Sequence, residues 1–375
     1  MTTRKTSKIR KEESLADRLF PIEKVDDDIA IVDIPPEKRR LHTETYDFSI
    51  GTIVSHLNDG TITIPKFQRN YVWNRAQASR LIESLIIQCP IPVIYLNQER
   101  DEKLSVIDGN QRLTSIQLFL ADEFELQGLS AYPELEGSKF NDLDPRFRRH
   151  IINRTLRCIT IMKETHPQIK FDVFERINTG AVQLNSQEVR HGVYHGELIA
   201  LVDELAEESI WKNISGHKDD KRMKGSELVL RYLALCNSQA TYQKPLKKFL
   251  NNFCAESQTI NPDTKLKWKQ EFLTTLETVN NLFGKKAFRI LNNSLEPSVK
   301  NLNAALFDAV MVGLTKENIT RDKINRIDKN NFLTRYQKLI SEEEFKKAIT
   351  SGTSATASVN YRIDKFREFL NRYFA

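Results

Sequence analysis

The sequence predicts an α+β chain, a mixed α/β N-terminal domain followed by an all-helical C-terminal domain. Three observations predict it. Short β-rich runs alternate with helical repeats from Thr45 to about Gly180, and strand signals almost vanish beyond Gln183. The 375 residues also exceed the roughly 250–300 that one hydrophobic core usually organises. The expected division is a flexible basic arm and linker over 1–44, the mixed domain over 45–183, and the helical domain over 184–375.

The arm carries Arg4, Lys5, Lys8, Arg10 and Lys11 with almost nothing apolar, too little buried surface to offset the entropy of ordering it. Asn74, with Gln77 three residues later, reads as a capping box opening a helix whose inner face is Ala78, Leu81, Ile82, Leu85 and Ile86. Pro90 ends that helix. Ile91 to Leu96 reads as a strand, Asn97 to Lys103 as a polar turn, and Leu104 to Ile107 as a second strand. After Asp108-Gly109 a helix places Leu113, Ile116 and Leu120 inward. Thr155 to Met162 is β-rich, and Ile169, Val173, Phe174 and Ile177 repeat at helical spacing.

In the second half Asn185 and Glu188 form a further capping box, flanked by Leu184 and Val189 as a hydrophobic staple. Helices are expected over Val189–Glu208, Ser226–Cys236, Leu266–Leu282, Asn301–Leu314 and Ser358–Phe374, with Ser351 to Ala357 a small, polar loop.

Composition sets bounds on function. Hydrophobic residues are 40% and charged ones 28%, an ordinary mixture for a globular chain. No run approaches the ~18 apolar residues of a membrane span, and no apolar stretch follows the N-terminal methionine, so neither a membrane protein nor a secretory signal is expected. Cys89, Cys158, Cys236 and Cys254 are far apart with no Cys-x-x-Cys, which excludes a zinc ribbon and a disulfide scaffold and suits a cytoplasmic location. The net charge of +6 is compatible with nucleic acid or nucleotide and diagnostic of neither.

The densest chemical signal is Ile64-Pro-Lys-Phe-Gln-Arg-Asn-Tyr-Val-Trp73. Gln68 and Arg69 sit inside an aromatic frame of Phe67, Tyr71 and Trp73. An arginine restricted by aromatics is a good fork for phosphate or carboxylate; equally, it can cap loop carbonyls while the aromatics fill a core. The second signal is Val106-Ile-Asp-Gly-Asn-Gln-Arg-Leu-Thr114. A strand ending at Asp108, a turn at Gly109 and a helix start form a natural anion cradle. There Asp108 can hold Mg²⁺ or orient a water, Gln111 can position that water, and Arg112 can neutralise phosphate charge. Asp-Gly is also an everyday turn.

These segments resemble the N-terminal domain of GmrSD-type modification-dependent restriction systems, which is related to the ParB/sulfiredoxin-like fold. The family pattern is Ile-Pro-x-x-Gln-Arg-x-Tyr-x-Trp, a Pro-Ile-Pro run, then Asp-Gly-Gln-Gln-Arg-Leu-Thr. Here it stands as Ile64 to Trp73, Pro90-Ile91-Pro92 and Asp108 to Thr114, followed by Phe174 to Gly180 and Leu184 to Glu188. Asn110 replaces the usual Gln. The resemblance implies a nucleotide-binding or nucleotide-hydrolysing module of antiviral defence, using Mg²⁺ with an NTP. Its implied site is Gln68, Arg69, Asp108, Gly109, Asn110, Gln111 and Arg112, with Asn178 at a helix end.

The resemblance also implies a nuclease partner, and an HNH site would need a histidine beside a metal on a ββα hairpin. The helical half offers only His191, His195 and His217; His191-x-x-x-His195 shares one helical face but lacks a third ligand and reads as a packing pair. A separate nuclease or effector subunit is therefore expected. Arg146, Arg148 and Arg149, with His150, Arg154 and Arg157 beyond, form the strongest internal basic cluster, suited to a DNA backbone or to a solvated face. The leading expectation is an NTP-dependent sensor or regulatory subunit of a phage-defence or restriction system acting on foreign or modified DNA. A non-enzymatic nucleotide- or DNA-binding adaptor and a metal-dependent nuclease are the alternatives.

Overall fold

In the computed structural model of the chain the described residues are 35, 38–65, 71–177, 184–216, 220, 222–299, 301–317, 319, 324 and 326–374. Five strands make one mixed sheet: β1 (Thr43–Ser49), β2 (Ile62–Thr63), β3 (Ile94–Gln98), β4 (Leu104–Asp108) and β5 (Thr155–Ile161), in the order β1-β5-β3-β4-β2. β1 runs antiparallel to β5, pairing Thr43 with Ile161; β3 runs parallel to β5, and β3–β4 is an antiparallel hairpin. The central strands β3 and β4 are buried on both faces, while the edge strand β1 is largely exposed. Along β4 the side chains alternate, so Val106 joins one hydrophobic core and its neighbour Ile107 the other.

The first core is closed by α1 (Ile50–Asp59), α2 (Arg75–Ile86), α3 (Asn110–Leu120) and α4 (Pro145–Asn153). Each helix start has a visible cause. Ser49 caps α1 by accepting the Thr52 amide, the Asn74–Gln77 capping box is formed at α2, and Asp144 caps α4 with Pro145 at its first position.

α5 (Pro167–Ile177) covers the opposite face of the sheet, sending Phe171 and Phe174 into the second core. That core continues through α6 (Ser186–Val193), α7 (Glu197–Ala206), α8 (Ser209–Ser215), α9 (Lys224–Ser238) and α10 (Leu246–Glu256). It is completed by α11 (Pro262–Phe283), α12 (Ala304–Glu317), α13 (Lys329–Ser341), α14 (Glu343–Thr350) and α15 (Thr356–Phe374). Among the described residues no helix is long and apolar enough to cross a membrane.

Several boundaries differ from expectation. The strand expected from Ile91 begins only at Ile94, because Pro92 has no amide to give a ladder, and it runs on to Gln98. The single helix expected over Val189–Glu208 is two, α6 and α7, broken at Gly196. A Cβ on Gly196 would stand 2.3 Å from the Gln258 carbonyl oxygen, and the Glu197 amide donates to that same oxygen at 2.8 Å. The last helix starts at Thr356, two residues inside the expected loop.

Candidate functional site

β4 ends at Asp108, and the chain turns into α3 through Gly109 at φ +105°. Only glycine tolerates this turn well, and space agrees: a Cβ there would lie 2.4 Å from Ile94 Cδ1 and 3.3 Å from Arg112 Nη2. The residue before α3 is Gly109 itself, which has no side chain to cap the helix, and the Asp108 carboxylate stands beside that helix start.

The motif residues of α3 tie segments together. Arg112 Nη2 donates to Asp108 Oδ2 at 2.8 Å, while Nη1 donates to the carbonyls of Pro92 and, at 3.3 Å, Val93. Arg112 thus anchors the Pro-Ile-Pro run to the helix that follows Asp108; its side chain is 12% exposed, against 39% for Asp108. Burial lowers the guanidinium pKa, and the facing Asp108 carboxylate opposes that shift.

Gln111 Oε1 accepts the amides of Val72 at 2.9 Å and Trp73 at 3.3 Å. One turn further on, Ser115 meets the Tyr71 hydroxyl at 2.9 Å. The two sequence motifs are therefore in contact through Gln111 and Ser115, and Trp73 packs against the first core. Gln68, Arg69 and Phe67 lie outside the described residues, as do Asn178, His217 and the basic arm.

Among the described residues no three His, Cys, Asp or Glu side chains gather as a metal-ligand group. Mg²⁺ characteristically needs only one or two carboxylates when nucleotide phosphates complete its shell. Asp108, with one oxygen on Arg112, fits an ion that arrives with phosphates better than a resident one.

The basic cluster is partly neutralised. Arg146 is held bidentate by Asp144 at 3.0 and 3.1 Å, Arg157 by Asp47 at 3.0 Å through both nitrogens, and Arg154 donates to the carbonyls of Gln88 and Cys89. Arg148 and Arg149 on α4 have no ion pair among the described residues, and Arg149 is exposed.

Sequence reasoning missed a second polar cluster at the other end of the β3–β4 hairpin. The two histidines of α6 and the following turn meet edge to face, ring centres 5.8 Å apart, yet each pairs with a carboxylate from a different element. His191 Nε2 lies 2.7 Å from Asp203 Oδ2 on α7, and His195 Nε2 lies 3.2 Å from Glu99 Oε1 in the hairpin turn. Lys170 of α5, among the hydrophobic positions of that helix, is 7% exposed and reaches across to Asn97. Its sequence signal was weak, since a lysine within an amphipathic repeat normally reads as a solvated face.

Residues 50–195 match the family described as the N-terminal domain of GmrSD restriction endonuclease, from the first residue of α1 to His195. The match takes in both motif segments, the hairpin and α5. No curated protein matches the chain.

Proposed function

We propose, from the match of residues 50–195 to the GmrSD N-terminal domain family, that the chain is the nucleotide-binding and nucleotide-hydrolysing regulatory subunit of a restriction-type defence system acting on foreign DNA. The observation that supports this most is the turn at the end of β4. A half-exposed carboxylate, a left-handed glycine and a helix N-terminus converge there, with a guanidinium beside them. In this reading the first amides of α3, at Asn110 and Gln111, cradle a phosphate, and Gly109 lets it approach the backbone. Arg112 adds positive charge, and Gln68 and Arg69 of the neighbouring motif complete the clamp, with Asn178 a further contact. Bound Mg²⁺ would neutralise the phosphate charge that develops in hydrolysis, and Asp108 is the residue that would hold it. Gln111 would orient the attacking water. Arg146, Arg148 and Arg149 would meet the DNA backbone, and cutting would fall to a separate nuclease or effector subunit.

One observation favours a second reading. Gln111 Oε1 and the Arg112 guanidinium already bond the backbone at Val72, Trp73, Pro92 and Val93, as they would in an adaptor that binds without turnover. Phosphate release from each of the four NTPs with Mg²⁺, with and without DNA, separates the two when nucleotide binding is measured in parallel. The expected result is turnover that Asp108→Asn abolishes at least tenfold while the protein still melts cooperatively. Binding with no turnover favours the adaptor; neither binding nor turnover, with DNA present, defeats the proposal.

A further inference from the structure

A cleft of about 670 Å³ lies between the turn of the β3–β4 hairpin, α5 and the α6–α7 junction. Its volume suits a small molecule of roughly nucleotide size. Asp108 does not line it, standing three residues beyond Ser105 along β4, about 10 Å away, although Ile64 and Pro65 at the start of the first motif do.

The cleft wall is a continuous polar chain. Lys170 Nζ donates to Asn97 Oδ1 at 2.9 Å and to the Gln98 carbonyl at 3.4 Å. Asn97 Nδ2 donates to Glu99 Oε1 at 2.8 Å, an oxygen that also accepts Ser105 Oγ and faces His195 Nε2. His195 then stacks edge-on against His191, which is paired with Asp203.

One group in this chain makes no direct ion pair. A lysine ammonium has three donors, and Lys170 spends two on neutral oxygens. Among the described residues it makes no ion pair, although it is 93% shielded from solvent by the 7% exposure above. Two carboxylates act on it from beyond ion-pair distance, Glu164 and Glu99, and Glu99 is committed to Asn97, Ser105 and His195. Buried charges are normally paired. Across the same cleft His195 offers a second, partly exposed cation when protonated, 40% exposed at its side chain.

We propose that this cleft is a second ligand site, which takes a small molecule bearing an oxyanion at Lys170 with His195 as the assisting group. The oxyanion supplies the direct ion pair that Lys170 does not make among the described residues, and the rest of the cleft houses the remainder of the molecule. The site joins the hairpin to α6 and α7, so its occupancy would bear on the sheet and the helical bundle together. It does not depend on nucleotide binding at Asp108.

Titration calorimetry on the full chain in EDTA, which removes Mg²⁺-dependent binding, tests this with three probes: inorganic phosphate, adenosine monophosphate and succinate. Saturable binding of phosphate or the nucleotide but not succinate assigns a phosphoryl ligand, and the reverse assigns a carboxylate. In either case Lys170→Met is expected to weaken binding at least tenfold and His195→Asn severalfold. Lys267→Met, an exposed lysine on α11, is expected to change nothing. Two results overturn the proposal: no saturable binding of any probe to the wild-type chain, or binding that Lys170→Met and His195→Asn, both shown by melting to be folded, leave intact.

Discussion

Arg112 Nη2 lies 2.8 Å from Asp108 Oδ2, across a glycine turn that joins the end of a strand to the start of a helix. The same guanidinium holds the carbonyls of Pro92 and Val93, so one side chain fixes both the approach to β3 and the exit from β4.

The pair is therefore expected to be unequal under mutation. Arg112→Ala strips donors from two carbonyls and leaves a gap at a side chain only 12% exposed, at a cost of about 2–4 kcal/mol. Asp108→Asn keeps an oxygen for the guanidinium and should cost less than about 1 kcal/mol. Urea unfolding of the two variants measures this. Equal destabilisation would show that Arg112 does not anchor the β3 approach, and the small cost of Asp108→Asn is what makes that variant a clean probe of nucleotide turnover.

Much of this was legible in the sequence because it is local. Capping boxes at Asn74 and Asn185 announce themselves three residues on, and the Asp108-Gly109 turn follows from glycine's freedom. What was not legible is long-range. Gln111 reaches back to Val72 and Trp73, and Lys170 reaches 73 residues to Asn97; neither partner can be read from spacing. The break between α6 and α7 was missed because the apolar repeat continues through it, while the reason for Gly196 is the Gln258 backbone, 62 residues away.

Two glycines give a graded pair of predictions. Gly109→Ala meets a strained φ and a buried isoleucine methyl, with a cost of about 1–3 kcal/mol. Gly196→Ala meets a carbonyl oxygen that cannot rotate away and that already accepts the Glu197 amide, so its cost should reach or exceed the top of that ~1–3 kcal/mol range. Thermal melts rank them. A milder effect at Gly196 would mean that the Gln258 segment yields.

The His195–Glu99 contact should make stability depend on pH. Burial disfavours the imidazolium, but the hydrogen bond and charge of Glu99, with Asp203 and Asp101 nearby, outweigh it and raise the His195 pKa. The neighbouring His191 lies edge-on at 5.8 Å. A raised pKa contributes stability that is complete below the unfolded value of about 6.5 and is lost as pH rises through the folded value. The difference in Tm between wild type and His195→Asn should therefore be largest near pH 6 and shrink toward pH 9. It should also shrink with salt, since the side chain is 40% exposed. A difference that grows with pH would show that the imidazole is held neutral.

The heaviest single loss is expected at Asp308. Its carboxylate is fully buried in α12 between two arginines, Arg231 of α9 and Arg362 of α15, with Oδ2 2.6 Å from Arg362 Nη2 and Oδ1 3.1 Å from Arg231 Nε. Arg362 is itself 1% exposed and also donates to the Thr353 and Ala348 carbonyls. Removing the one anion leaves two guanidiniums facing each other in a dry interior, which is far worse than never having placed charges there. Breaking a buried ion pair from one side costs about 3–5 kcal/mol. Asp308→Ala should reach that range, enough to unfold a marginally stable chain at 37 °C. Asp308→Asn, which keeps one of the two acceptor oxygens and loses the charge, should recover part of it. Urea midpoints of the two variants measure what the remaining acceptor oxygen contributes, and equal midpoints would show that it contributes nothing without the charge.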